Sequence, residues 1–72
     1  MKGFIELNFK RKTTTYIDVN HVSSLTNEGG LGTITLFGGE KVETELSFPK
    51  LIEKYHEQRV LKNTIYYKPS LT

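Results

Sequence analysis

The chain lacks several residue types that would otherwise define its chemistry. Its 72 residues include no cysteine, no tryptophan and no alanine. The absence of cysteine excludes disulfides, thiolate metal ligands, iron–sulfur clusters and a cysteine nucleophile. No apolar run reaches the roughly 18 residues of a membrane span, and no charged-then-apolar segment resembles a leader. We therefore expect a cytoplasmic protein without membrane contact.

The length predicts one small domain over residues 1–72. Apolar residues make up 36% of the chain, enough for one thin core. A core of this size gives a free energy of unfolding of only a few kcal/mol. We therefore expect that burial against a partner or a second copy contributes to stability.

The charge is small but unevenly distributed. The net charge is +2, far below the basic excess of a dedicated nucleic-acid binder. Residues 1–20 carry a local +2 and residues 21–58 a local −3, while the segment from Arg59 onward contains only cations. If the two ends meet in the fold, they form a modest basic patch.

The composition favours strands. Thr, Val and Ile supply a quarter of the residues, and branched side chains suit a pleated sheet better than a helix. Alternation of apolar and polar residues predicts strands near 5–9, 15–19, 33–37 and 42–46. Val22 and Leu25 are three apart, which suits a helical turn or bend better than a regular strand, so we expect a tight turn at Asn20-His21 and then a short strand near 22–26. Three glycines predict a flexible loop at 27–32, and Gly38-Gly39 predicts a two-residue hairpin turn.

One amphipathic helix is predicted over residues 48–60. Ser47 is suited to be its N-cap, and Pro49 falls in the first turn, where its missing N–H costs nothing. Beyond the helix, Thr64 to Tyr67 are strand-prone and end before Pro69. The tail 61–72 is therefore predicted to be an edge strand or an oligomerisation arm.

These elements predict an α+β fold. We expect a small antiparallel β-meander of four to five strands over residues 3–46, with the C-terminal helix packed on one face. The predicted core comprises Ile5, Leu7, Ile17, Val19, Ile34, Leu36, Val42, Leu46, Phe48, Leu51, Ile52 and Tyr55.

The sequence shows no catalytic or metal-binding pattern. His21 and His56 have no acid or second histidine at a ligand spacing. Glu43 and Glu45 lie about 7 Å apart on one strand face, a separation found in inverting glycosidases, but a meander this small offers no cleft to desolvate them. We expect no enzyme, no metal and no cofactor.

Two groups of residues are candidates for binding. The consecutive cations of the first turn could hold phosphates, with tail cations and tyrosines adding stacking surfaces. The plainer alternative is a solubilising turn. The apolar tail could instead form an oligomer interface through an added edge strand. The phosphate-binding set is Lys10, Arg11, Lys12, Arg59, Lys62, Tyr66 and Tyr67. The interface set is Val60, Leu61, Ile65, Tyr66 and Tyr67.

The order of elements resembles a known family. Residues 4–58 are similar to the small flagellar and swarming-motility proteins of the FlbD type, which share a strand hairpin, a second hairpin and an amphipathic helix. Here the tail after Arg59 has no counterpart in the family. The resemblance implies a bacterial or phage accessory protein that acts without catalysis through protein contacts. The same order of strand, hairpin and helix is similar to that of the LytTR type of DNA-binding domain. The matching positions are Asn20, Val22, Leu25, Thr33, Ile34, Leu36, Gly39, Val42, Glu45, Ser47, Leu51 and Ile52.

Three functional hypotheses follow from these features. The leading hypothesis is a non-enzymatic interaction module that self-associates and contacts an unidentified protein partner. The alternative is a nucleic-acid or nucleotide binder, including an inhibitor that sequesters a charged ligand. The third is an enzyme whose site forms only between subunits of an oligomer.

Overall fold

The α+β class is confirmed by a computed structural model, which describes residues 2–67 of the chain, with side chains through Leu61. Five strands precede one long helix. The elements are β1 (Phe4–Asn8), β2 (Thr14–Asp18), a short 3-10 helix (Val19–His21), β3 (Val22–Glu28), β4 (Leu31–Leu36), β5 (Lys41–Ser47) and α1 (Phe48–Tyr67).

The strands form two antiparallel sheets rather than one continuous meander. One sheet pairs β1 with β2, and the other has the order β3-β4-β5. The break falls at the 3-10 helix, where a side-chain oxygen of Asp18 accepts a hydrogen bond from Asn20 N–H at 2.9 Å. This cap turns the chain away from β2, so β3 pairs with β4 instead of continuing the first sheet.

Both hairpin turns of the larger sheet differ from the predicted ones. The predicted flexible loop at 27–32 is instead a tight hairpin, in which Gly29 and Gly30 alone connect β3 to β4 with φ values of 65° and 94°. Only glycine adopts both angles readily, so the two glycines specify a turn. The hairpin between β4 and β5 is confirmed, but its connection spans residues 37–40, closed by Leu36 N–H donating to Glu40 O at 2.8 Å.

The core is smaller than predicted. Val22 joins it, while Leu36, Val42, Leu46 and Tyr55 are only partly buried at its edge. Phe48 is half-buried and lies outside the core cluster, so its predicted core position is wrong. Ile52 is 39% exposed, so its predicted core position is wrong. The inward stripe of α1 runs through Leu51, Tyr55 and Gln58, and the adjacent position 52 is turned about 100° away from Leu51. The buried apolar residues are Ile5, Leu7, Ile17, Val19, Val22, Ile34 and Leu51.

The start of α1 is anchored as its sequence predicts. Lys50 N–H donates to Ser47 Oγ at 3.4 Å, and Phe48 N–H donates to Gly30 O at 3.0 Å. Leu51 is fully buried, and α1 contacts strands of both sheets. The helix therefore covers the junction between the sheets.

The end of α1 differs from the prediction. The helix continues to Tyr67, so residues 64–67 are helical and are not an edge strand. No glycine or proline lies between Pro49 and Pro69 to stop it. Once nucleated, a helix gains a hydrogen bond for each added residue, and this outweighs the strand preference of Thr64 and Ile65. The rest of the predicted tail, 68–72, lies outside the described residues.

Candidate interaction surfaces

The basic hairpin tip between β1 and β2 is a well-defined turn. Phe9 N–H donates to Thr13 O at 3.0 Å, and Lys12 N–H donates to Phe9 O at 2.9 Å, with Lys12 at a φ of 63°. Lys10, Arg11 and Lys12 are all exposed. The backbone N–H of Lys10 donates to the Glu45 carboxylate at 3.1 Å, so an acidic side chain lies at the base of the tip.

The remaining described member of the phosphate-binding set lies elsewhere. Gly3 N–H donates to Gln58 Oε1 at 3.0 Å, which places Arg59 near the start of β1. The strand rise puts the tip at Lys10 about 23 Å from Gly3. The structure therefore does not join Arg59 to the tip in one basic patch. Lys62, Tyr66 and Tyr67 belong to the helical backbone, and their side chains lie outside the described part.

Arg59 is held by its own helix. Its guanidinium carbon lies 5.7 Å from the centre of the Tyr55 ring, and its Nη1 donates to the Tyr55 hydroxyl at 3.1 Å. Residues four apart face each other on a helix, and a cation above an aromatic ring is attracted to it. Tyr55 therefore orients Arg59 along the side of α1.

The candidate catalytic residues are exposed to solvent. His21 and His56 are exposed, and so are Glu43 and Glu45 on the outer side of β5. Among the described residues, no group of three His, Asp or Glu side chains could hold a metal ion. The glutamate pair is the solvated strand face that the alternation predicts.

Two shallow grooves form between elements. One, of about 130 Å³, separates the first hairpin from α1 and carries Glu6, Lys54 and Glu57, so both signs of charge line it. The other, of about 190 Å³, lies on the outer side of the larger sheet beside Glu28 and Glu43. Neither groove was predicted from the sequence, because each is formed by residues of different elements.

The far half of α1 exposes apolar side chains. Gln58 is half-buried, whereas Arg59, Val60 and Leu61 after it are exposed. Val60 is 47% exposed and Leu61 38%. These are the first two members of the predicted interface set. The other three, Ile65, Tyr66 and Tyr67, follow in the helical backbone beyond the described side chains.

One surface was missed at the sequence level, namely the free edge of β3. Within residues 2–67, β3 pairs only with β4, whereas β5, at the other side of the same sheet, also contacts β1. Six of the seven residues of β3 are exposed or half-buried. The signal available in the sequence was the double glycine at 29–30, which marks β3 as the first strand of a hairpin.

Comparison with family models, curated proteins and solved structures finds no match to the chain. In residues 2–67, no helix has both the length and the apolar character needed to cross a membrane.

Proposed function

We propose that the protein is a small non-enzymatic interaction module that self-associates, and that it serves as a bacterial or phage accessory protein in the cytoplasm. The observation that carries the proposal is the exposed apolar pair Val60 and Leu61 on the far half of α1. The FlbD-type resemblance supports a role through protein contacts. It supplies no partner and no pathway.

The exposed pair favours association on energetic grounds. Fully burying a valine or leucine side chain stabilises by about 1.5–3 kcal/mol. Because Val60 and Leu61 are each close to half exposed, covering them in two copies contributes about 3–6 kcal/mol. Micromolar association requires about 8 kcal/mol, so this contact supplies a large part of it.

A second copy is a suitable occupant because the chain is electrostatically self-complementary. The segment from Arg59 onward contains only cations, whereas residues 21–58 carry a net −3. A contact between the far half of α1 and the acidic middle of another copy pairs opposite charges. The net charge of +2 per chain is too small to prevent association.

The proposal is tested with two serine variants of the same helix. Leu61→Ser removes an exposed apolar side chain from the far half, and Ile52→Ser removes one of nearly equal exposure, 39% against 38%, from the near half. We expect Leu61→Ser to raise the dimer dissociation constant at least tenfold in sedimentation equilibrium, with Ile52→Ser close to wild type. Equal effects of both variants, or no effect of Leu61→Ser, would contradict the proposed surface.

A further inference from the structure

The free edge of β3 lacks the features that normally protect an exposed strand. Natural edges are blunted by lysine, proline, short length or inward charge. β3 has seven residues, contains neither lysine nor proline, and has Glu28 as its only charged residue. By contrast β5, which also contacts β1, carries Lys41, Glu43 and Glu45. A bulge interrupts β3 only at its start, between Val22 and Ser24, so Ser24 to Glu28 remain regular.

The hydrogen bonds at β4 show which N–H and C=O groups of β3 face its free edge. Phe37 N–H donates to His21 O, and Gly32 O accepts from Thr44 Oγ1 on β5. In β4, odd positions therefore face β3 and even positions face β5, as the alternation of an antiparallel ladder requires. Because Thr26 is opposite Thr33, its backbone groups face β4. The N–H and C=O groups of Leu25 and Asn27 then face the free edge.

We propose that this edge pairs with β3 of a second copy, antiparallel and with Thr26 opposite Thr26 of the other copy. In this register Leu25 lies opposite Asn27 of the other copy, and the two symmetric pairs form four backbone hydrogen bonds. Ser24 lies opposite Glu28 of the other copy. All pairing falls in the regular segment and avoids the bulge.

The side chains of β3 are compatible with this register. The central pair joins two threonines on the exposed face, a favourable cross-strand combination. The two Glu28 carboxylates are separated by four residues along the strands, about 13 Å, which exceeds the Debye length at physiological salt. No like charges are opposed, so the strand is complementary to itself.

The pairing adds a second contact of defined geometry to the proposed self-association, and it rests on that proposed function. Two three-stranded sheets join edge to edge into one six-stranded sheet around a two-fold axis perpendicular to it. The α1 helices of both copies then lie on the same face. The contact uses β3 and not the far half of α1, so the two contacts are separable by mutation.

The central pair provides the first test. Thr26→Lys places two lysine side chains directly opposite each other across the axis, with their Cβ atoms about 5 Å apart, and Thr26→Glu does the same with two glutamates. We expect each variant alone to raise the dissociation constant at least tenfold in sedimentation equilibrium. An equimolar mixture should restore association, because each pair then contains one lysine and one glutamate.

The flanking pair tests the register itself. Ser24→Lys places a cation opposite Glu28 of the other copy, whereas Ser24→Glu places an anion there. We expect Ser24→Lys to lower the dissociation constant several-fold and Ser24→Glu to raise it by a similar factor. The matched controls are Thr13→Lys and Thr13→Glu, which make the same charge changes at an exposed residue outside the strands. They should leave association unchanged.

Each outcome supports or overturns the proposal. Restoration by the mixed Thr26 variants together with opposite effects at Ser24 supports the pairing. A wild-type dimer that none of these variants alters overturns the β3 pairing and leaves the proposed self-association standing. A wild-type chain that stays monomeric overturns both. Equal shifts from the Thr13 controls would assign the effect to net charge and overturn the pairing. Circular dichroism of each variant checks that the fold is retained.

Discussion

Gly32 lies so close to Leu51 that a Cβ added to Gly32 would fall 3.0 Å from the Cβ of Leu51, and closer still to its Cδ2. Leu51 is fully buried, and Gly32 lies on the central strand β4. The missing side chain at position 32 thus allows α1 to approach the sheet. This contact sets the depth at which the helix packs.

Replacing Gly32 by alanine should destabilise the fold. The added methyl group overlaps a buried side chain, and overpacking a core costs about 1–3 kcal/mol. We expect a lower midpoint in urea unfolding followed by circular dichroism. Leu51→Val, which removes the Cδ atoms, should reduce the cost of Gly32→Ala in a double-mutant cycle. Additive effects of the two changes would show that the strain lies elsewhere.

Thr44 is expected to require its hydroxyl group. This buried side chain donates to Gly32 O at 2.7 Å and accepts from Leu46 N–H at 3.2 Å. Thr44→Val keeps the shape but leaves the buried Gly32 O and the partly buried Leu46 N–H without this partner, at a cost of about 1–3 kcal/mol. Thr44→Ser keeps the hydroxyl and should lose less in thermal unfolding. A valine variant as stable as the serine variant would refute the role of these bonds.

Asp18 is expected to stabilise the turn between the two sheets. Its carboxylate accepts from Asn20 N–H at 2.9 Å at the start of the 3-10 helix. Asp18→Ala should cost about 1 kcal/mol, since loss of such a cap typically does so. Asp18→Asn retains an acceptor and should cost less. The measurement is the free energy of unfolding in urea, and an asparagine variant as unstable as the alanine variant would contradict the capping role.

Binding of single-stranded nucleic acid is expected to be weak. The tip contributes three cations, and Arg59 lies at the other end of β1. Three phosphate contacts give a slope of about −2 for the logarithm of the binding constant against the logarithm of salt concentration. Fluorescence anisotropy of a labelled oligonucleotide measures this slope. A slope steeper than about −4, abolished by the triple alanine variant of Lys10, Arg11 and Lys12, would instead favour the nucleic-acid alternative.

The parts of the fold that were predictable from sequence are those with a local physical cause. Alternation located four of the five strands, β3 was expected after the turn at Asn20-His21, and Ser47 with Pro49 marked the start of α1. The end of α1 was not predictable in this way. Strand propensity at Thr64 to Tyr67 is a weak local preference, and propagation of an existing helix overrides it.

The surfaces were harder to predict because they depend on distant residues. The separation of Arg59 from the hairpin tip follows from the contact between Gly3 and Gln58, which are 55 positions apart. Pairing of β3 with β4 alone follows from the break at the 3-10 helix. The residues of β3 suit a strand whose second edge is free as well as one whose second edge is paired, so composition could not reveal the free edge.

The most direct test of self-association is the molar mass of the purified chain by light scattering across concentrations from 1 to about 200 μM. We predict a mass that rises from the monomer value of 8.3 kDa to at least twice that value, because the far half of α1 and the β3 edge are separate contacts. The ratio of absorbance at 260 nm to that at 280 nm should remain that of protein alone. A constant 8.3 kDa over the whole range would contradict the account.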